Sequence, residues 1–140
     1  MGTICFVILN YKTWREAAAC AESVLSTQQG QDIRIVLVDN GSGNGSEESL
    51  REEFAGEKRV HVIASEKNLG FARGNNLGIE YAKKHFEPDF IVAANSDIIF
   101  EQEDYCEKLR EIYKEERFDI LGGDIGIKMS AAACIHNIPA

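Results

Sequence analysis

The feature that most constrains this chain is an alternation. Short apolar runs take turns with longer stretches whose apolar residues recur at helical spacing. Thr3–Leu9 (TICFVIL) is almost continuously apolar, as in a strand buried on both faces. Thr13 is then expected to cap a helix with Trp14, Ala17, Ala18, Ala21, Val24 and Leu25 on one face. Ile33–Val38 (IRIVLV) reads as a second strand, ending at Asp39. The glycine-, serine- and asparagine-rich stretch Asn40–Ser46 reads as a loop, and Glu47–Phe54 as a short helix with acids in its first turn. Val60–Ala64 is a third strand. Phe71–Phe86 is helical in pattern, with Phe71, Ile79, Ala82 and Phe86 roughly in register on one face. After the breaker Pro88, Phe90–Ala94 (FIVAA) is a fourth strand. Glu103–Glu116 follows as a charged helix with Cys106, Leu109, Ile112 and Tyr113 inward, and Ile120 opens a fifth strand interrupted by Gly122 and Gly123. Strand and helix in regular alternation predict an α/β fold, a doubly wound, mostly parallel sheet with helices on both faces.

Such a sheet takes ligands beyond the carboxyl ends of its strands, near the point where strand order reverses. The residues just after the strands are Asn10 and Tyr11, Asp39 to Ser42, Ser65 to Asn68, and Asn95 to Asp97, and nearly all are polar. A net charge of -8 makes nucleic acid an unfavourable partner, but a small phosphorylated ligand can still be held by backbone N–H groups and a few cations. No apolar run is long enough to cross a membrane, and Met1–Leu9 lacks the basic start of a signal peptide. Cys5, Cys20, Cys106 and Cys134 form no CxxC pair and read as buried thiols of a reducing cytoplasm. With His61, His85 and His136 they offer no zinc spacing. Length fits one domain of 140 residues.

Three places can carry chemistry, each with an ordinary structural rival. Asp39 can accept from a ribose hydroxyl or a base N–H, yet Asp before Asn-Gly is also common turn chemistry. Asn68–Gly78 (NLGFARGNNLG) opens a helix while carrying Gly70, Gly74 and Gly78. A helical glycine costs about 1 kcal/mol relative to alanine, so either close packing on the sheet or close approach of a ligand is implied. Arg73, one turn in, can reach a pyrophosphate, or pair at the surface with an acid such as Glu66. Asn95-Ser96-Asp97 offers hard oxygen donors for Mg2+ or Mn2+, or simply a polar turn.

Taken in order, VILNYK, VDNGSGNGS, NLGFARGNNLGI and ANSD make a far more specific pattern than any one of them. With it the chain resembles family 2 glycosyltransferases of the GT-A fold, and most closely their rhamnosyltransferase-like branch, over about residues 3 to 128. The resemblance implies that Asn10 and Tyr11 lie beside the nucleobase or ribose and that Asp39 holds the nucleoside, with Asn40 and Ser42 shaping its loop. It implies that Asn68, Gly70, Phe71, Arg73 and Asn76 frame the nucleotide-sugar pocket. Asn95, Ser96 and Asp97 stand where the family carries its D-x-D metal motif, with Asn95 replacing the first acid and Asp97 left as the strong ligand of Mg2+ or Mn2+.

The implied function is inverting transfer of a sugar from a dTDP-, UDP- or GDP-linked donor to an acceptor hydroxyl in cell-surface polysaccharide or glycan synthesis. Residues 1–128 form the GT-A domain, truncated relative to the family, and 129–140 a C-terminal tail. The family's second half supplies the acceptor site and the catalytic base. No residue here is assigned that base, and Asp119 and Asp124 are not backed for it. The chain is therefore expected to bind a nucleotide sugar without transferring it alone, with a non-catalytic binding or interaction module as the alternative. Peripheral membrane association of the full enzyme and homo-oligomerisation are left open. A nucleotidyltransferase would want a basic glycine-rich loop near its start, and residues 1–15 hold none.

Overall fold

The computed structural model of the chain describes residues 2–122 and 132–136, with side chains described for residues 2–119. The elements follow the expected alternation. They are β1 (Ile4–Asn10), α1 (Trp14–Thr27), β2 (Ile33–Asn40), α2 (Ser46–Glu53), β3 (Val60–Ser65), α3 (Phe71–Phe86), β4 (Phe90–Asn95), α4 (Tyr105–Glu116), β5 (Ile120–Gly122) and β6 (Ala132–His136). Strand order across the sheet is β3-β2-β1-β4-β6-β5. The first four strands are mutually parallel, while β6 runs antiparallel to both of its neighbours. The sheet is thus α/β and mostly parallel, as its pattern demands. The segment expected as a tail contains β6, which inserts between β4 and β5.

Alternation along each strand sends successive side chains to opposite faces. On β1, Ile4, Phe6 and Ile8 join the larger core with Ala17, Ala21 and Val24 of α1, Leu50 of α2 and Leu109 of α4. Cys5 and Val7 join a smaller core on the other face with Val36, Val38, Ile91 and Ala82 of α3. Helices α1, α2 and α4 therefore cover one face and α3 the other. Each fully buried aliphatic side chain contributes roughly 1.5–3 kcal/mol of transfer free energy, so both faces drive folding.

Helix α3 leaves the edge strand β3 and returns the chain to β4, crossing β1 and β2 on the way. Its glycines let it do so at close range. A Cβ on Gly78 would lie 2.4 Å from Val7 Cγ1 and 2.8 Å from Val38 Cγ2, and one on Gly74 would lie 2.7 Å from Leu9 Cδ1. Close packing on the sheet accounts for these two residues. Gly70 differs. It has φ 86 and ψ 170 just before the helix, a conformation that is essentially glycine's alone, and no atom lies near its missing Cβ.

Two local expectations are corrected. Thr13 precedes α1, but its side chain makes no capping bond. Its carbonyl accepts from Glu16 and Ala17, and its own N–H donates to Asn10 Oδ1 at 3.2 Å. Phe71 does not face the core. It is the first residue of α3 and is 67% exposed. The thiols of Cys5, Cys20 and Cys106 are free and buried, and burial pushes each up to about 12, so they are inert. The side chains of Cys134 and His136 lie outside the described ones.

Candidate functional site

Register sets the site level. Asn10 of β1 stands opposite Asp39 of β2, Asn40 opposite Ser65 of β3, and Leu9 opposite Asn95 of β4. Four adjacent parallel strands therefore end together, and their polar post-strand residues converge on one edge of the sheet.

Asp39 lies on the α1 face and is only 4% exposed. A carboxylate buried this far needs partners. Asn10 Nδ2 donates to Asp39 Oδ1 at 3.0 Å, and Ser42 Oγ donates to the same oxygen at 2.5 Å. Ser42 Oγ in turn accepts from the Lys12 N–H at 2.7 Å, and Asn44 Nδ2 donates to the Lys12 carbonyl at 3.3 Å. These bonds hold Lys12 at φ 64, an unfavourable conformation for a side-chain-bearing residue. Among the described residues, Asp39 Oδ2 takes no hydrogen bond. Asp39 lines a hollow of about 400 Å³ with Gly41, Gly43, Glu47, Ser65 and Glu66.

Asn40, one residue on, faces α3 and is also buried. Its Nδ2 donates to Asn68 Oδ1 at 3.1 Å and to the Gly70 carbonyl at 3.2 Å. Its Oδ1 accepts from the Leu69 N–H at 3.0 Å and from Ser65 Oγ at 3.3 Å. Asn68 Oδ1 also accepts from the Gly70 N–H at 2.8 Å. Asn40 and Asn68 thus spend their amides building the loop between β3 and α3. Gly41 completes the contact between the two loops. It has φ +67, and a Cβ there would lie 2.2 Å from the carbonyl carbon of Lys67.

A second hollow, of about 390 Å³, opens where β1 and β4 end. Tyr11, Glu16, Phe71, Asn95, Ser96 and Asp97 line it, with Leu9 and Thr13. Here side chains are open to solvent. Tyr11 is 42% exposed, and Asp97 and Arg73 are exposed as well. Arg73 has no ion pair among the described residues, so pairing with Glu66 does not occur. Asn76 is exposed on α3, whereas the neighbouring Asn75 is buried and donates to the Phe71 carbonyl at 3.1 Å. No group of three or more His, Cys, Asp or Glu gathers for a metal among the described residues.

A sequence profile of glycosyl transferase family 2 matches residues 5–131. The chain belongs to this family.

The family 2 domain has relatives of known name. Glycosyltransferase GlyG of Streptococcus pneumoniae serotype 4 is 32% identical over 121 residues, covering 86% of this chain and 38% of GlyG. The low-salt glycan biosynthesis hexosyltransferase Agl10 of Haloferax volcanii is 26% identical over 113 residues, covering 81% of this chain and 32% of Agl10. The chain therefore spans well under half the length of these relatives.

Solved glycosyltransferases share its GT-A fold. Mannosyltransferase PcManGT from Pyrobaculum calidifontis, in complex with GDP-Man and Mn2+, superposes with TM-score 0.76 at 11% identity, over 96% of this chain and 44% of that one. S. aureus TarS 1-349 in complex with UDP-GlcNAc gives TM-score 0.69 at 18% identity, over 86% of this chain and 33% of that one.

Within this family 2 domain, Tyr11, Asp39, Phe71, Asn95, Ser96 and Asp97 line the two hollows, and Asn10, Asn40, Ser42, Asn68 and Gly70 bond within the loops at the carboxyl ends of β1 to β3. Arg73 and Asn76 are exposed on α3 and line neither hollow. Sequence reasoning passed over Glu16 and Glu47, which line the hollows, and gave Ser65 no role beyond its place at the end of β3. Ser65 was legible as a post-strand residue, whereas Glu16 is brought to the rim only by the course of α1. Asp119 is exposed beside β5, and Asp124 lies outside the described residues. Among the described residues no helix is long and apolar enough to cross a membrane.

Proposed function

We propose that the domain binds a nucleoside-diphosphate sugar along the carboxyl edge of the sheet, as the donor half of an inverting glycosyltransferase of cell-surface polysaccharide or glycan synthesis. The observation that carries this reading is Asp39, a nearly buried carboxylate clamped through one oxygen and open at the other. A carboxylate fixed in this way can accept from a ribose hydroxyl or a base N–H at little further ordering cost. Asn10, Ser42 and the loop built by Asn40 and Asn68 hold that acceptor in position. The diphosphate would then lead toward the second hollow, where Arg73 is free to reach it, and the sugar would lie near Tyr11, Phe71 and Asn76.

Asn95, Ser96 and Asp97 fit a divalent cation in kind. They offer hard oxygen donors suited to Mg2+ or Mn2+, and too few of them to form a closed cage, so phosphate oxygens would complete the shell. A cation held there would offset charge on the departing nucleoside diphosphate. In the transfer, the acceptor oxygen bonds to the anomeric carbon as the bond to the diphosphate oxygen breaks, and configuration inverts. The acceptor's proton passes to a general base, for which no residue of this chain is proposed. The Asn95-Ser96-Asp97 pattern also supports membership of the rhamnosyltransferase-like branch.

The test is a calorimetric screen of UDP-, dTDP- and GDP-sugars with and without Mn2+. Binding of at least one donor, weakened in Asp39→Ala, is expected. A folded chain that binds none of the three contradicts the reading.

A further inference from the structure

The segment after β4 carries Asp97 and has no regular structure until α4 begins at Tyr105, yet it is tightly held. Two polar side chains, Ser23 of α1 and Gln28 just past its last residue, do most of the holding. Ser23, on the buried face of the helix, donates from Oγ to the Cys20 carbonyl at 2.6 Å and accepts from the Phe100 N–H at 2.8 Å. Gln28, at the end of α1, is fully buried. Its Nε2 donates to the Gln102 carbonyl at 2.6 Å and to Thr27 Oγ1 at 3.0 Å, while its Oε1 accepts from the Cys106 N–H at 3.1 Å. Two side chains thus fix three backbone points, at residues 100, 102 and 106.

The remaining anchors lie in the same place. The Cys20 thiol points at the Asn95 carbonyl, 3.9 Å away, and the Ile98 N–H closes a turn onto that carbonyl at 3.2 Å. The rings of Phe100 and Tyr105 meet Phe6 of β1 with centroids 5.3 and 6.0 Å apart. Asp97 therefore sits in a short turn gripped at both ends, by β4 before it and by Ser23 after it.

Burying a glutamine amide and a serine hydroxyl costs free energy that an apolar helix face would avoid. The return is a fixed path for the loop that presents the Asp97 carboxylate to solvent beside the second hollow. We infer that Ser23 and Gln28 are positioning residues for Asp97, setting where its carboxylate stands so that the cation and diphosphate meet a preformed donor. This rests on the proposed role of Asp97. Groups that orient a metal ligand without touching the metal commonly govern its affinity by roughly tenfold or more.

The experiment measures UDP and GDP affinity by calorimetry, with and without Mn2+, in the unmodified chain, Ser23→Ala, Gln28→Leu, Asp97→Ala and the Gln28→Leu/Asp97→Ala double variant. Thermal melts check folding. The gain in nucleotide affinity on adding Mn2+ should fall by roughly tenfold in Ser23→Ala and Gln28→Leu, while metal-free affinity stays unchanged. In the Asp97→Ala background, Gln28→Leu should have no further effect on that gain. Ser23→Ala removes only one oxygen, so it keeps the test open if Gln28→Leu does not fold. A full Mn2+ gain in folded Ser23→Ala overturns the inference. So does an equal loss of metal-free and Mn2+-dependent affinity, which would mark a general structural defect. If Asp97→Ala itself keeps the gain, the role of Asp97 fails first and the positioning inference falls with it.

Discussion

The two ends of the cleft are built in opposite ways. Beneath β2 and β3 the polar groups are bonded to one another before any ligand arrives. Asn10 and Ser42 converge on Asp39, and Asn40 ties together Ser65, Asn68, Leu69 and Gly70. Beside β4, the Asp97 carboxylate is exposed, and hydrogen bonds fix the backbone around it rather than the carboxylate. The difference follows from burial. Burying a carboxyl group to 4% exposure costs free energy unless it is hydrogen-bonded, and the neighbouring loops supply the donors. An exposed carboxylate is solvated already and stays free for a cation that arrives with its own oxygens. One end is bonded in advance apart from Asp39 Oδ2, and the other leaves its carboxylate open to solvent.

The largest effect expected from this contrast is on stability. Gly41→Ala forces an alanine to φ +67 and drives its Cβ into the Lys67 backbone. It should cost about 3 kcal/mol, from strain and overpacking together. Urea denaturation would show this as a lower midpoint. A midpoint matching the unmodified chain would mean that the two loops are not locked together. Next comes binding. Asp39→Ala should weaken nucleotide binding by about 1.5–3 kcal/mol, the range for hydrogen bonds to charged groups. Affinities for UDP and dTDP that do not change in the folded variant would remove Asp39 from the site.

A smaller effect sits at the far end of α3. His61 of β3 packs against Phe86 with ring centroids 4.8 Å apart. Burial holds it below the usual imidazole range, with the charges of Arg34 and His85 adding to the effect. Its folded value is depressed, so its contribution to stability is full above about 6.5 and declines as the pH falls below that. The unfolding free energy from urea titrations should drop by less than about 1 kcal/mol on acidification from neutral, and His61→Phe should flatten the profile. Stability that rises on acidification would contradict the sign. The smallest effect is at the open end. Asp97→Ala should change stability by no more than about 0.5 kcal/mol, because among the described residues its carboxylate makes no hydrogen bond or ion pair. A loss comparable to that of Gly41→Ala would erase the contrast between the ends.

Much of this was legible in the sequence, and for local reasons. Strands buried on both faces give unbroken apolar runs, and α3 spans the expected Phe71–Phe86 because its glycine start and the following Pro88 are local signals. The loops at the carboxyl ends were legible as polar breaks after those runs. What was missed depends on contacts between distant residues. The small-residue run Ala132–His136 has no periodicity to mark it, and its place between β4 and β5 is fixed only by pairing. Glycines at positions 74 and 78 could serve packing or a ligand until Val7, Leu9 and Val38 were seen against them. Ser23 and Gln28 read as ordinary polar residues of a helix, because their partners lie more than seventy residues on.

The division of the cleft can be tested most directly with Mn2+ as a paramagnetic probe in amide-resolved NMR spectra. Mn2+ alone should leave the spectrum nearly unbroadened. Mn2+ with UDP or GDP should broaden the amides of Asn95, Ser96 and Asp97, while those of Gly41 to Gly45 shift with the nucleotide and broaden less. Strong broadening around Asp39 with none at Asp97, or strong broadening by Mn2+ without nucleotide, would contradict the division of the cleft into a finished nucleoside end and an open, ligand-completed end.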